Sequence, residues 1–87
     1  MTLKTSRGNT YEIQWADVAS KSGFLFVQME DERKLSEIAV EFEGLDWLKR
    51  ADTNQGDKLF EGYSSLNYIR QVEPGIVILS FEKAGDN

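Results

Sequence analysis

The chain contains no cysteine, and this limits how a sequence of only 87 residues can hold a fold together. Neither a disulfide nor a thiolate-bound metal can supplement the hydrophobic core, so packing must supply the stability. Apolar residues make up 40% of the sequence, which is typical of a folding chain. We expect one domain over residues 1–87, with residues 83–87 as a frayed tail.

The N-terminal segment predicts a β-hairpin. Residues 10–15 alternate between apolar and polar types, as a half-buried strand does. One face of this strand would carry Tyr11, Ile13 and Trp15. Residues 2–6 would pair with it through Arg7-Gly8-Asn9, where Gly8 and Asn9 tolerate the positive φ of a tight turn.

A second β-rich region follows. Residues 16–23 are small and polar, which favours a connection ending in the turn-like Lys21-Ser22-Gly23. The run Phe24–Met29 has apolar residues at both odd and even positions and is rich in β-favouring residue types. It predicts a central strand that is covered on both faces.

The segment Lys34–Glu43 fits two periodicities. Ile38, Val40 and Phe42 alternate as in a strand, whereas helical spacing joins Leu35, Ile38, Ala39 and Phe42. Helix-favouring residues and a terminal Gly44 support the helix, which we predict. Its exposed side would carry Glu37 and Glu41.

The remaining sequence predicts further short strands. Residues 45–50 fit a strand carrying Leu45 and Trp47, or a helix continuing past a kink, and we favour the strand. Residues 59–63 resemble another short strand interrupted at Gly62.

The C-terminal region predicts a second hairpin, with Pro74-Gly75 as its loop. A two-residue loop would pair Val72 with Val77, Arg70 with Leu79, and Tyr68 with Phe81. A loop longer by one or two residues is the alternative, because Pro-Gly favours a type II turn. The predicted fold class is α+β, a mostly antiparallel sheet of short strands and hairpins with one short helix packed on one face.

Charge is concentrated in the middle of the chain. Residues 30–46 contain seven acids and two bases, and the other residues contain eight of each. This acidic excess, with no basic aromatic stripe, argues against direct nucleic-acid binding. No apolar run reaches the length of a signal peptide or the roughly 20 residues of a membrane span. We therefore expect a cytoplasmic protein without membrane contact.

The sequence offers little catalytic or metal-binding chemistry. Histidine and cysteine are absent, which removes zinc sites and the common catalytic dyads and triads. The acidic loop Asp52–Tyr63 fails the EF-hand pattern, because Gly56, Asp57 and Tyr63 occupy positions 5, 6 and 12. A carboxylate enzyme or sugar-binding sheet would need two acids with raised pKa in a concave pocket. We predict no enzyme activity and no cofactor.

The candidate site is a partner-binding surface. We predict it at Glu37, Glu41, Glu43, Asp46 and Trp47, where an exposed tryptophan would stand beside carboxylates. The plain alternative is a solvated acidic face. A DNA mimic that inhibits a nucleic-acid-binding host protein is the alternative function. The two-sided apolar strand at residues 24–29 would equally suit a homodimer interface.

Two stretches carry a resemblance. KLSEIAVEFEG (residues 34–44) and LFEGYSSLNYI (residues 59–69) precede an apolar terminal strand. Together they resemble small uncharacterised proteins encoded in prophages and conjugative elements of Gram-positive gut bacteria. That family has no assigned activity, so the resemblance implies no functional residue. It implies an accessory protein of a mobile element that acts by contact with other macromolecules.

Overall fold

A computed structural model describes residues 1–19, 23–52, 60 and 62–83. Its elements are β1 (Thr2–Thr5), β2 (Thr10–Ala19), β3 (Phe24–Glu30), α1 (Leu35–Phe42), β4 (Leu48–Arg50), β5 (Tyr63–Glu73) and β6 (Ile76–Lys83). The strands form one sheet in the order β4-β1-β2-β3-β6-β5, and every pairing in the described part is antiparallel. The predicted α+β class, a mostly antiparallel sheet with a short helix, is confirmed.

The N-terminal hairpin is also confirmed. β1 pairs with β2, with Leu3 opposite Tyr11. Gly8 adopts a φ of 88°, which a residue without Cβ reaches at little cost. The Thr5 amide donates to the Asn9 carbonyl at 3.0 Å and closes the turn.

β2 contains a β-bulge that the alternation did not predict. Ile13 lies opposite Met29 and Trp15 opposite Gln28, so the register shifts by one residue between them. Such a shift sends the following side chains to the other face of the sheet. The prediction that Trp15 shares the face of Tyr11 and Ile13 is therefore wrong.

β2 continues beyond the bulge to Ala19, so the connection predicted over residues 16–23 begins too early. The bulge explains the longer strand. It turns Ala16 and Val18 towards the buried face, where they pack against the core as partly buried residues.

β3 is central, as predicted, because it lies between β2 and β6. Its two faces differ in burial. We define the inner face of the sheet by the buried Leu25, Val27 and Met29, and the outer face by the partly buried Phe24, Phe26 and Gln28. The predicted cover on both faces is found only on the inner face.

The hydrophobic core lies on the inner-face side. β6 places Val77, Leu79 and Phe81 directly opposite the inner-face residues of β3. The buried cluster consists of Leu3, Ile13, Leu25, Val27, Met29, Ile38, Phe42, Leu45, Leu48, Phe60, Tyr63, Val77, Leu79 and Phe81. Its members come from the sheet, the helix and the connecting segments, so one core joins all of them.

The predicted helix is confirmed one residue shorter at each end. Ile38 and Phe42 are fully buried, and the Phe42 ring lies 4.8 Å from that of Tyr11 and 5.8 Å from that of Phe81. Gly44 follows the helix with a φ of 68°, the left-handed conformation that commonly ends a helix.

The strand predicted over residues 45–50 is right in kind but begins too early. Only Leu48–Arg50 form β4, which pairs with β1 at one edge of the sheet. Leu45 and Trp47 precede the strand, and they differ in exposure. Leu45 is buried in the core, whereas Trp47 keeps 40% of its surface exposed.

The two-residue loop of the C-terminal hairpin is confirmed, because Glu73 lies opposite Ile76. Gly75 has a φ of 78°, as a type II turn requires. The pairing beyond the loop differs from the prediction. A register shift between Gln71 and Glu73 skips Val72 and places Arg70 opposite Ile78.

A second register shift between β5 and β6 lies between Leu66 and Tyr68. Leu66 faces Phe81, Ile69 faces Leu79, and Tyr68 faces Ser80. The predicted register would have placed the charged Arg70 against Leu79 in the core, where an unpaired charge is costly. The bulges instead direct Ile69 inwards and Arg70 outwards.

Some predictions fall on residues outside the described ranges. Within the loop Asp52–Tyr63, the structure describes Asp52, Phe60, Gly62 and Tyr63. Tyr63 begins β5 and Phe60 is buried outside any strand, so, of the described residues 60, 62 and 63, only Tyr63 lies in a strand as predicted. Lys83 ends β6 and is not part of a tail, whereas residues 84–87 are not described.

Candidate functional site

The predicted site residues lie on α1 and on the segment that follows it. We call Glu37, Glu41, Glu43, Asp46 and Trp47 the docking patch. Glu37, Glu43 and Asp46 are exposed, Trp47 is partly exposed, and Glu41 is half-buried. The amphipathic helix causes this arrangement, because Ile38 and Phe42 turn inwards and leave the carboxylates on the other sides.

The β1–β2 turn holds most of the docking patch in place. The Ser6 amide donates to the Trp47 carbonyl at 3.1 Å, and the Asp46 amide donates to the Ser6 hydroxyl at 2.9 Å. Asn9 donates through its side-chain amide to Glu41 at 3.1 Å. These bonds join segments more than thirty residues apart in sequence.

Arg7 supplies the cation that the last turn of α1 lacks. Its guanidinium donates to the carbonyl of Val40 at 3.1 Å and to that of Glu41 at 2.9 Å, and it also binds the Glu43 carbonyl. Unpaired carbonyls at a helix C-terminus carry partial negative charge and favour such a cation. Arg7 therefore fixes the helix end beside Trp47.

Arg33 neutralises part of the acidic surface. It donates to Asp31 at 2.6 Å and also forms an ion pair with Glu41. The hydrogen bond from Arg33 lowers the pKa of Asp31, and the same bond raises the pKa of Arg33. Glu41 is thus held by both Arg33 and Asn9, and it is not the freely solvated carboxylate that the sequence predicted.

The Trp47 ring lies close to the side chain of Lys49. The Lys49 ammonium lies 5.0 Å from the centre of the indole ring, within the range of a cation–π interaction. The two residues are two positions apart at the start of β4, a spacing that puts side chains on the same side of an extended chain. The contact orients the ring while leaving much of it accessible.

Val40 adds a second apolar group to this surface. It is 63% exposed, the most of any large hydrophobic residue in the described part. Glu37 lies three residues before it on α1, where the two side chains are neighbours, and Glu43 directly follows the helix. An exposed valine thus lies next to a carboxylate of the docking patch.

The sequence prediction missed the basic residues and Val40. Arg7 gave no local signal, because its partners lie more than thirty positions away. Val40 and Lys49 were detectable. Helical spacing excludes Val40 from the apolar stripe, and Lys49 has the i, i+2 spacing from Trp47 that brings side chains together on an extended segment.

A shallow cleft of about 360 Å³ lies elsewhere, lined by Tyr11, Glu12, Gln14, Met29, Glu30 and Asp31. Two of its acids, Glu12 and Asp31, do not have the character expected of a general acid. A hydrogen bond from the N-terminal ammonium lowers the pKa of Glu12, and the bond from Arg33 lowers that of Asp31. Neither group has the raised pKa that carboxylate catalysis needs.

Comparison with known proteins gives no further guide. No protein-family model, curated protein or solved structure matches the chain. Among the described residues, no group of three or more acidic side chains is arranged to hold a metal ion, and no helix is long and apolar enough to cross a membrane. The docking patch must be interpreted from its own geometry.

Proposed function

We propose that this chain is a non-catalytic protein-interaction module whose docking patch binds a protein partner. The observation that carries the proposal is the partly exposed Trp47, fixed beside the acidic end of α1 by the β1–β2 turn. Tryptophan is enriched among the residues that dominate binding energy at protein interfaces. Placing such a residue in solvent costs stability unless it is covered in a complex.

The proposal includes the placement of the helix. We infer that α1 lies over the inner face of the sheet and directs its carboxylates away from it. The ring contacts of Phe42 with Tyr11 and Phe81 support this placement. A surface held in this way needs little ordering when it binds, which leaves more of the contact energy available for affinity.

The chemistry of the patch favours a particular kind of partner. Trp47 and Val40 would enter an apolar pocket, while Glu37, Glu43 and Asp46 would face lysine or arginine residues at its rim. Arg7, Arg33 and Lys49 interrupt the carboxylates, whereas a DNA mimic requires a continuous negative surface. The interspersed cations therefore favour a mixed protein interface over mimicry.

The setting of this function is part of the proposal. We place the protein in the cytoplasm, in agreement with the sequence prediction. An accessory role in a prophage or conjugative element is supported only by the resemblance of residues 34–44 and 59–69.

Affinity capture with two matched variants tests the proposal. Trp47→Ala removes the tryptophan of the patch, and Val72→Ala truncates a side chain of nearly equal exposure at the bulge of β5, outside the patch and outside the two rows of the outer face (40% and 38% exposed). Each bait is compared with the unmodified chain per mole of folded protein, using lysate of the cell that carries the gene. We expect a partner whose recovery falls about tenfold or more with Trp47→Ala and little with Val72→Ala.

The partner's affinity is then measured with purified protein at increasing salt. Aromatic anchoring predicts a loss smaller than about tenfold between about 50 and 500 mM salt, whereas mimicry predicts a steep loss. Equal recovery by the folded Trp47→Ala variant and the unmodified chain would overturn the proposal.

A further inference from the structure

The outer face of the sheet carries an apolar band that remains partly open to solvent. The strand registers arrange it in two neighbouring rows across β2, β3, β6 and β5. The first row is Asp17, Phe26, Ser80 and Tyr68, and the second is Trp15, Gln28, Ile78 and Arg70. Trp15 and Tyr68, at opposite margins, are 39% and 43% exposed.

The middle of this band is already ordered by its own packing. The rings of Phe26 and Tyr68 meet edge-on with their centres 6.4 Å apart. Ser80 lies between them in the register and is fully buried. Because Ser80 is already covered, the middle of the face presents the two aromatic rings to solvent.

The charges within these two rows are separated. Asp17 lies on β2 at one margin, and Arg70 lies on β5 at the other. Both are exposed, and neither forms an ion pair with any residue that the structure describes. A surface that is acidic at one margin and basic at the other can complement a copy of itself.

We propose that the outer face binds a second copy of this chain through a two-fold axis parallel to the strands. The axis passes over the boundary between β3 and β6, so β2 of one copy faces β5 of the other. Trp15 then packs on the Arg70 guanidinium of the second copy, and Asp17 accepts a hydrogen bond from the Tyr68 hydroxyl of that copy. Each of these contacts occurs twice.

The separated charges select this axis over the other face-to-face arrangement. A two-fold axis perpendicular to the strands would set β2 against β2 and β5 against β5. The two Asp17 carboxylates would then lie at one margin and the two Arg70 guanidinium groups at the other, where like charges repel. The parallel axis brings each Asp17 within reach of an Arg70.

The size of the face sets the expected strength of the dimer. Four strands spaced about 4.8 Å apart, with about five residues each, cover roughly 20 by 17 Å. Two such faces together cover roughly 700 Å², which is below the size of stable interfaces and in the range of weak, transient ones. We expect a dissociation constant of about 1 to 100 µM, because interfaces of this size without further anchoring are weak.

Sedimentation equilibrium of the purified chain tests the dimer and its geometry, over concentrations of about 1 to 500 µM. Asp17→Lys and Arg70→Glu each place like charges across the interface and should weaken the dimer about tenfold or more. The double variant Asp17→Lys/Arg70→Glu restores opposite charges and should return to within about threefold of the unmodified chain. Glu37→Lys, on the docking patch, should leave dimerisation unchanged.

Each other outcome overturns the proposal. An unmodified chain that stays monomeric over the whole range excludes the dimer. A dimer unaffected by the single charge reversals lies elsewhere, for example along the outer edge of β5. A double variant as weak as the single ones excludes the parallel two-fold axis. Both reversed positions are exposed, and circular dichroism checks that each variant remains folded.

Discussion

At the scale of single residues, two arginine side chains join separate segments of the chain. Arg7 binds three carbonyls at the end of α1, and Arg33 joins Asp31 to Glu41. The bonds from Arg7 to Val40 and Glu41, and from Arg33 to Glu41, tie the helix to segments outside it. The geometry of the docking patch therefore depends on cations that do not belong to the predicted site.

The Asp31–Arg33 pair predicts a pH dependence of stability. Arg33 lowers the pKa of Asp31 below its unfolded value of about 3.9, so the pair stabilises the fold above that pH. Asp31→Asn should cost about 1 kcal/mol of unfolding free energy at pH 7. The difference should shrink as the pH falls below about 4 and through the lowered pKa of folded Asp31.

Urea denaturation between pH 2 and pH 8 measures this difference. Glu32→Gln is the matched control, because the exposed Glu32 forms no hydrogen bond or ion pair with a described residue. The control should follow the unmodified chain at every pH. A cost for Asp31→Asn that stays constant down to pH 2 would contradict the assignment.

At the scale of elements, the β-bulges decide which side chains enter the core. Bulges in β2 and β5 send Trp15, Tyr68 and Arg70 to the outer face and Ile69 to the inner face. Each bulge shifts the register by a single residue, yet it reverses the faces of the residues that follow. The composition of both surfaces depends on these few positions.

The observed register of β5 predicts an order of mutant stabilities. Ile69 faces Leu79 and packs against the core, so Ile69→Ser should destabilise the fold by about 1 to 2 kcal/mol. Val72 lies at the bulge, and Val72→Ser should cost less than about 0.5 kcal/mol. Chemical denaturation of both variants measures the difference.

The two substitutions control for each other, because each replaces a β-branched residue of the same strand by serine. The register predicted from the sequence alone, with Val72 opposite Val77, requires the reverse order. A larger cost for Val72→Ser would therefore contradict the bulged register.

The sequence was sufficient where a local signal fixed the structure. Helical spacing with Gly44 predicted α1, and Pro74-Gly75 predicted the loop of the last hairpin. The bulges were not predictable from one strand, because they depend on which partner residues each side chain meets. The contact of Arg7 with the end of α1 is likewise set by the fold and not by its neighbours in sequence.

At the scale of the whole molecule, the chain presents two separate surfaces for association. The docking patch combines an aromatic group, a valine and carboxylates at the end of α1. The outer face combines aromatic rings with separated opposite charges and suits a second copy. When the outer face forms the dimer and the docking patch binds the protein partner, each dimer displays two docking patches at once. Two patches on one dimer raise the apparent affinity for a multivalent target.

Photo-crosslinking in the cell that carries the gene tests the docking patch most directly. A photoreactive phenylalanine replaces Val40 in one variant and Val72 in another, two exposed valines at different places in the fold. We predict a protein adduct of defined mass from position 40 and none of that mass from position 72. No adduct from position 40, or the same adducts from both positions, would contradict the account.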